Sequence, residues 1–453
     1  MKLTRKSCLE ILFVRIGVLL STCLTILFLA PFAFAQETQT VLKPDQLVTF
    51  SIAPKQEKLF VVQMKKGDFA EIQLLAREGL NVSLKIYDDA RKELLEELDY
   101  GADSLWFVAP NDGDFTLVSK LREGQDDRTS SAERISLQYN NKLKLPRGSK
   151  VIGIRKVNGY DIKIMATPED RDSILLIEKN GQLQKAMKRD GEFDFLGGNA
   201  AQLTRELRTT REKQSRAYLL DKLKTAQLID STPDKTGDGV PDIMINYFSG
   251  GAHCCFETYF FDLGDNVKLS EHLLRDNNEN MHIRKNPKGG LLFEIADYSF
   301  AYWLTGFATS PAADVVLEFQ NGKLRPNFEL MKKPAPSLAT LKNEAEFYRQ
   351  KLSLKPYRGD ENNDSLDFED PFYKEGTYPH NENETYNGAI YRNVVFWGPM
   401  LDLIYTGHEE LAWQFLDLVW PPQKQGKERF IRDFKNRLLQ SPYWQMILED
   451  QKK

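Results

Sequence analysis

The sequence predicts a multidomain, mainly β protein that ends in a small all-α region, and three observations lead to this fold class. Short segments with alternating apolar side chains recur roughly every ten residues over positions 38–142, which is the spacing of an antiparallel β-sandwich. Similar segments continue over 145–331, interrupted by residues 200–227, which contain good helix formers and neither glycine nor proline. After Tyr391 the apolar residues recur at helical spacing.

The chain divides into four predicted parts. Residues 1–35 form a signal peptide, and residues 38–142 form the β-sandwich. Residues 145–331 form a β-rich domain with one inserted helix, and residues 338–453 form an acidic loop followed by a helical domain. A chain of 453 residues exceeds what one hydrophobic core usually organises, so several domains are expected.

The first 35 residues have the three parts of a secretory signal peptide: a basic start, an apolar run over residues 16–30 and a small-x-small end at Ala33-Phe34-Ala35. We therefore expect cleavage after Ala35 and a periplasmic or secreted protein. The alternative is an N-terminal membrane anchor, because residues 16–35 are about long enough to span a bilayer. The basic residues of the start are Lys2, Arg5, Lys6 and Arg15.

The charge balance limits the classes of partner. Residues 1–35 hold four basic residues and one acidic residue, so 57 basic and 64 acidic residues remain after cleavage, a net charge of −7. This balance disfavours nucleic acid, because phosphate binding requires a basic face. No second apolar run is long enough to span a membrane, so no stable membrane insertion is expected after cleavage. The expected partner is an envelope protein or a polysaccharide.

The predicted sandwich contains the segments KKGDFAEIQL, LNVSLKIYD and LWFVAPNDGDFTLVSK. In this order of strands and turns, residues 38–142 resemble the pre-peptidase C-terminal domain, a small jelly-roll sandwich that is appended to many exported bacterial proteins. The resemblance implies an accessory or binding module.

The sharpest local motif is the segment DKTGDGVPD, which begins at Asp234. A hard cation such as Ca²⁺ takes six to eight oxygen ligands on a flexible loop, and alternate residues of this segment offer them. The following segment predicts a strand, and Ile245 stands where an EF-hand has its glutamate. The segment instead resembles the calcium loops of integrin-type FG-GAP repeats, and the alternative is an Asp/Gly-rich turn without a metal. The predicted calcium ligands are Asp234, Thr236, Asp238, the carbonyl of Val240, and Asp242.

The only cysteines outside the signal peptide are the adjacent Cys254 and Cys255, which follow His253 in the segment SGGAHCC. Four interpretations stay open. The first is a vicinal disulfide, because in an oxidising compartment the two thiols can pair only with each other or between chains. The others are a transition-metal site with His253, a cysteine nucleophile with a histidine base, and a rigid turn with buried sulfurs.

Both motifs lie in one segment, DKTGDGVPDIMINYFSGGAHCCFETYFFDLG. This segment resembles a group of exported bacterial proteins of unassigned function, which combine a calcium-type loop with SGGAHCC. The resemblance implies a β-rich, propeller-related domain and supplies no activity.

The sequence contains no GxSxG, HExxH or phosphate-binding glycine loop. We therefore expect an exported, calcium-binding binding or scaffold protein of the cell envelope. The alternative is an envelope enzyme, a hydrolase or a thiol oxidoreductase, that uses His253 with Cys254 or Cys255.

Overall fold

The fold is mainly β, as predicted, with 41% of the residues in strands and a small helical C-terminal region. The predicted signal peptide and residues 360–394, which include most of the predicted acidic loop, lie outside the described residues. None of the described helices combines the length and the apolar composition that a membrane span requires. The computed structural model describes residues 40–76, 82–91, 94–97, 104–121, 133–168, 172–198, 200–251, 255–277, 281–350, 352, 354, 356–359 and 395–452.

The N-terminal strands form two sheets that share one hydrophobic core, as a β-sandwich does. The strands are β1 (Thr40–Leu42), β2 (Leu47–Ile52), β3 (Glu57–Met64), β4 (Phe69–Leu75), β5 (Val82–Tyr87), β6 (Leu94–Glu97), β7 (Ser104–Val108), β8 (Gly113–Leu121) and β9 (Glu133–Asn140). One sheet has the order β1-β3-β8-β5-β6 and the other the order β2-β9-β4-β7. The short β1 and β6 were not predicted, and β1 runs parallel to β3.

Three four-stranded antiparallel sheets follow, and each is a meander in which every strand pairs with the next. The first meander is β10 (Lys150–Val157), β11 (Tyr160–Ala166), β12 (Asp172–Lys179) and β13 (Gln182–Asp190). The second meander is β14 (Glu192–Phe195), β15 (Asp242–Phe248), β16 (Phe256–Leu263) and β17 (Val267–Asp276). The third meander is β18 (His282–Lys285), β19 (Leu291–Asp297), β20 (Ala313–Gln320) and β21 (Lys323–Pro326).

The sheets stack face to face because their inner strands are apolar on both sides. In β12, Leu175 packs toward the second meander and its neighbour Ile174 packs toward the sandwich. In β15, Ile245 packs toward the first meander and Met244 packs toward the third. Successive side chains of a strand point to opposite faces, so the first and second meanders each contribute to two cores.

Hydrophobic contacts cross both predicted domain boundaries. Trp106 of the sandwich shares a core with Ile174 of the first meander. Leu317 of the third meander shares a core with Trp397 of the C-terminal helices. The division into domains stays a prediction, and the described parts are packed against one another.

Two helices stand where the sequence predicts one over residues 200–227. They are α1 (Ala200–Thr209) and α2 (Lys213–Asp230). The guanidinium of Arg216 donates to the carbonyl of Thr210 at 2.9 Å. This side chain satisfies a carbonyl that a continuous helix would have bonded internally, so the chain can turn here.

The C-terminal helices cover the third meander. Asp297 of β19 accepts hydrogen bonds from Tyr405 and Ser441, each at 2.5 Å, in a buried site. Ser441 also caps the last helix as predicted, since its Oγ accepts from the amide of Trp444 at 3.0 Å. The described helices of this region are α3 (Phe328–Met331), α4 (Leu338–Arg349), α5 (Trp397–Tyr405), α6 (Glu409–Val419), α7 (Lys427–Leu438) and α8 (Pro442–Gln451).

Candidate functional site

The predicted calcium loop joins α2 to β15 and is closed by its own aspartates. The carboxylate of Asp234 accepts from the amides of Gly237 at 2.6 Å, Asp238 at 3.2 Å and Gly239 at 2.9 Å. The carboxylate of Asp238 accepts from the amide of Val240 at 2.8 Å. These two aspartates at the outer end of the loop therefore already bond to backbone N–H groups.

The inner end of the loop is buried. Asp242 is fully buried, and its Oδ2 accepts from the amides of Lys235 at 2.7 Å and Thr236 at 3.0 Å. Asp262 is its cross-strand neighbour, because β15 and β16 place these two residues directly opposite each other. Burial and the facing Asp262 carboxyl together raise the pKa of Asp242 to about 7, although the two amide hydrogen bonds act to lower it.

Three buried side-chain oxygens at the inner end have no hydrogen-bond donor among the described residues: Thr236 Oγ1, Asp242 Oδ1 and Asp262 Oδ1. Lys235 lies beside them, but its ammonium donates to the carbonyls of Asp242 at 2.6 Å and Pro233 at 3.2 Å. Burial lowers the pKa of Lys235 to about 8. The oxygen chemistry of the inner end fits a hard cation, whereas no three His, Cys, Asp or Glu side chains of the described chain form a metal-binding group.

The loop is fixed between the second and third meanders. The carbonyl of Lys235 accepts from the amide of Leu291 at 2.9 Å. Gly290, in the turn before β19, has a φ of +70°, and a Cβ there would lie 2.7 Å from the carbonyl oxygen of Lys235. Only glycine permits both this backbone conformation and this close approach, so the turn and the loop are built to touch.

The SGGAHCC segment connects β15 to β16. His253 and Cys254 lie outside the described residues. Cys255 is half-buried. The amide of Ser249 donates to the carbonyl of Cys255 at 3.2 Å, and the amide of Cys255 donates to Ser249 Oγ at 2.9 Å. These two hydrogen bonds close a hairpin between β15 and β16. The interpretations of the SGGAHCC segment as a redox, metal or nucleophile site stay hypotheses.

A cleft of about 860 Å³ opens beside this hairpin. The rings of Phe248 and Phe256, at the two ends of the hairpin, stack at 4.4 Å and form part of its wall. The opposite wall includes Ile152 and Ile154 of β10, which are 62% and 55% exposed. Exposed apolar side chains next to a concave surface are typical of a binding site.

The cleft is acidic. Its described wall contains one lysine, Lys222, and burial together with the nearby Glu192 raises the pKa of Asp194. The four carboxylates of the wall are Glu192, Asp194, Glu206 and Asp221.

A buried polar network lies on the face of the second meander that packs against the first. The guanidinium of Arg189 donates to both carboxylate oxygens of Glu257, at 2.5 and 3.2 Å. Tyr259 donates to the same carboxylate at 2.8 Å, and the Nε2 of His272 lies 2.8 Å from it. Burial alone would raise the pKa of Glu257, but His272 and Arg189 outweigh it and hold that pKa below its usual value. The sequence gives no signal for this network, because its members come from three strands.

No protein-family model and no curated protein matches the chain. Some solved structures resemble a part of it. The pre-peptidase C-terminal domain of a Bacillus anthracis collagenase covers 22% of this chain and 94% of its own length, at 8% identity and a TM-score of 0.19. PliG from Aeromonas hydrophila, a periplasmic inhibitor of g-type lysozyme, covers 23% of this chain and 95% of its own, at 12% identity and a TM-score of 0.20. PliG from Salmonella Typhimurium covers 23% and 98%, at 14% identity and a TM-score of 0.19.

The collagenase domain is of the family that residues 38–142 resemble in their order of strands. At TM-scores of 0.19 to 0.20 these likenesses say nothing about function.

Proposed function

We propose that this protein is exported to the cell envelope, where it binds calcium and a partner protein. Its cleft would hold an extended, basic segment of that partner. One observation supports the cleft as the binding site: it combines two strand edges that are unpaired within the described structure, exposed apolar side chains and four carboxylates. The proposed export depends on the signal peptide of residues 1–35.

Two strand edges favour a peptide over a polysaccharide. Within the described part of the chain, β10 pairs only with β11, and β14 pairs only with β15. Both β10 and β14 line the cleft. A free edge presents backbone N–H and C=O groups that an extended peptide can pair with, and pockets for alternate side chains then give specificity.

The charge of the cleft indicates a basic occupant. Glu192 and Asp194 alternate along β14, and each lines the cleft. A peptide strand laid beside β14 would present its own side chains with the same two-residue period. Lysine or arginine at alternate positions would therefore meet both carboxylates.

Calcium is proposed here as a structural ion. The predicted loop follows α2 and precedes β15, and both elements contribute residues to the cleft. A cation held by the folded loop would stabilise the folded state and would fix these two walls.

The experiment is a fluorescence anisotropy titration of a labelled peptide of alternating lysine and valine with the exported chain. We expect binding that weakens as salt is added, because exposed charges are screened. Glu192→Gln combined with Asp194→Asn should weaken binding at least about tenfold. A control variant, Glu410→Gln with Glu428→Gln, removes two exposed charges from the helical region and should bind as the wild type does.

Two outcomes would contradict this proposal. One is equal binding of an acidic peptide of alternating glutamate and valine. The other is binding of a chito-oligosaccharide with no binding of the basic peptide, which would place a polysaccharide in the cleft.

A thiol oxidoreductase is the second candidate, and it is favoured by the position of Cys255 directly before Phe256, which lines the cleft. The proposed disulfide partner of Cys255 is Cys254. In this function a substrate dithiol would reduce the bond and would itself be oxidised to a disulfide. Oxidised glutathione, added as the oxidant, would re-form the protein disulfide after each turnover. Oxidation of a dithiol peptide under these conditions that is lost in Cys254→Ser and in Cys255→Ser would support the enzyme. Equal rates in both variants and the wild type would remove it.

A further inference from the structure

We infer that a hard divalent cation binds at the inner end of the loop, between Asp242 and Asp262 and beside the hydroxyl of Thr236, and not at the outer Asp234 and Asp238. This inference depends on the proposed calcium binding, and it relocates the ion and adds Asp262 as a ligand.

The outer aspartates have their oxygens engaged. Both oxygens of Asp234 accept backbone N–H groups, three in all, and one oxygen of Asp238 accepts a fourth. Asp238 is also exposed, so water solvates its charge. Neither carboxylate requires a cation to be stable where it stands.

The inner oxygens do require a partner. Thr236 is 9% exposed and Asp242 is 0% exposed, and each keeps a buried side-chain oxygen that no donor of the described chain reaches. Asp262 presents a third such oxygen from directly across the β15–β16 pair. The two carboxyls lie within hydrogen-bonding reach of each other, so without a cation a shared proton has to bridge them, and when both are ionised they repel across the sheet. A divalent cation would take the place of that proton and let both carboxylates stay ionised.

The nearest cation of the chain does not serve this purpose. Lys235 is buried, and its ammonium donates to the main-chain carbonyls of Asp242 and Pro233. No hydrogen bond from this ammonium to the carboxylate of Asp242 is found in the described structure, where Asp242 Oδ1 stays without a partner. The charge of Lys235 attracts that of Asp242, but its ammonium forms no direct bond to the facing carboxylate oxygens of the described structure.

The ligand chemistry selects a hard ion. Every unpartnered atom at the inner end is a carboxylate or hydroxyl oxygen, and Ca²⁺ binds such oxygens and completes its shell with carbonyls and water. Soft ions prefer thiolate and imidazole ligands, and neither Thr236 nor the two aspartates offers these.

The experiment compares thermal unfolding of the exported chain in chelator and in calcium chloride. The wild type should gain several degrees with calcium, since a ligand that binds only the folded state stabilises it. Asp262→Asn should lose most of this gain. The matched control Asp238→Asn, which changes the outer end in the same way, should keep it.

The same series separates the inference from a general effect on folding. In chelator, Asp262→Asn should unfold no earlier than the wild type, because it removes a like charge that faces Asp242. Thr236→Val, which replaces the hydroxyl by a methyl of similar size, should reduce the calcium gain as well. This variant keeps the test decisive where Asp262→Asn does not fold.

Two outcomes would contradict the inference, and they differ in what they leave of the proposed function. A calcium gain that survives Asp262→Asn and Thr236→Val but disappears in Asp238→Asn would overturn the inner site and leave the proposed calcium loop intact. A wild type whose unfolding temperature does not respond to calcium would contradict both.

Discussion

Two buried carboxylates on neighbouring strands of the second meander have opposite surroundings. Glu257 of β16 is bonded by Arg189, Tyr259 and His272, and the chain holds its pKa below the usual value. Asp242 of β15 faces a second carboxylate, and burial raises its pKa to about 7. In the first arrangement the chain's own side chains supply all the partners of the carboxylate, and the resulting network joins two sheets. In the second arrangement we propose that a cation from outside bridges the two carboxylates.

The difference shows how two buried acids can have unlike roles. A buried charge is tolerated when it is paired and hydrogen-bonded. Glu257 meets this condition within the chain, so we interpret its network as structural. Asp242 does not meet it, so we interpret its site as a binding site.

The largest expected effect is the loss of the counter-charge of Glu257. Arg189→Met should destabilise the protein by about 3–5 kcal/mol, because it leaves a buried carboxylate with too few partners. Urea unfolding followed by circular dichroism measures this loss. Lys163→Met is the control, since Lys163 pairs with Glu178 at 2.7 Å in a more exposed place and should cost less than about 1 kcal/mol. Equal losses in the two variants would remove the contrast.

A second prediction concerns the contact that holds the loop against the third meander. Gly290→Ala should cost about 1–3 kcal/mol, because the new Cβ would meet the carbonyl of Lys235 at 2.7 Å in a backbone with φ of +70°. Gly322→Ala is a matched control, with φ of +75° and no atom within 4 Å of the new Cβ. Urea unfolding should show the larger loss of stability in Gly290→Ala. This variant should also bind calcium more weakly, because the turn at Gly290 contacts the loop at Lys235. A loss as large at Gly322 would mean that backbone strain alone explains the effect.

A smaller effect is expected from acid. The pKa of Glu257 is lowered in the folded state, so its contribution is present above the usual glutamate pKa and is lost as the pH falls through the folded value. The stability difference between the wild type and Glu257→Gln should therefore shrink when the pH falls from about 5 to about 3. Urea unfolding at a series of pH values measures it. A difference that stays constant or grows in acid would show that Glu257 is not held ionised.

The sequence predicted where the strands lie better than it predicted which sheets pack against them. The run DSILLIEK predicts a strand, and it forms β12. The period of two cannot say which sheets its two faces will meet, because Ile174 and Leu175 are equally apolar. The helix break at Thr210 was missed because it depends on the reach of one arginine, Arg216.

The site was predictable only in part. The order of aspartates and glycines after Asp234 marks the loop, but the partner of Asp242 stands in another strand. Asp262 is identified only by the register of β15 with β16. The sequence pattern does not fix this register, because the SGGAHCC segment that connects the two strands is not a standard short turn. Arg189 and Glu257 are joined across two sheets in the same way.

The most direct test of the central claim is calorimetric titration of calcium into the exported chain and into Asp242→Asn and Asp238→Asn. We predict one site in the wild type, unchanged binding in Asp238→Asn, and affinity lowered at least about tenfold in Asp242→Asn, since one carboxylate ligand becomes an amide. Asp262→Asn should behave as Asp242→Asn does. Full binding in Asp242→Asn and in Asp262→Asn would contradict the account.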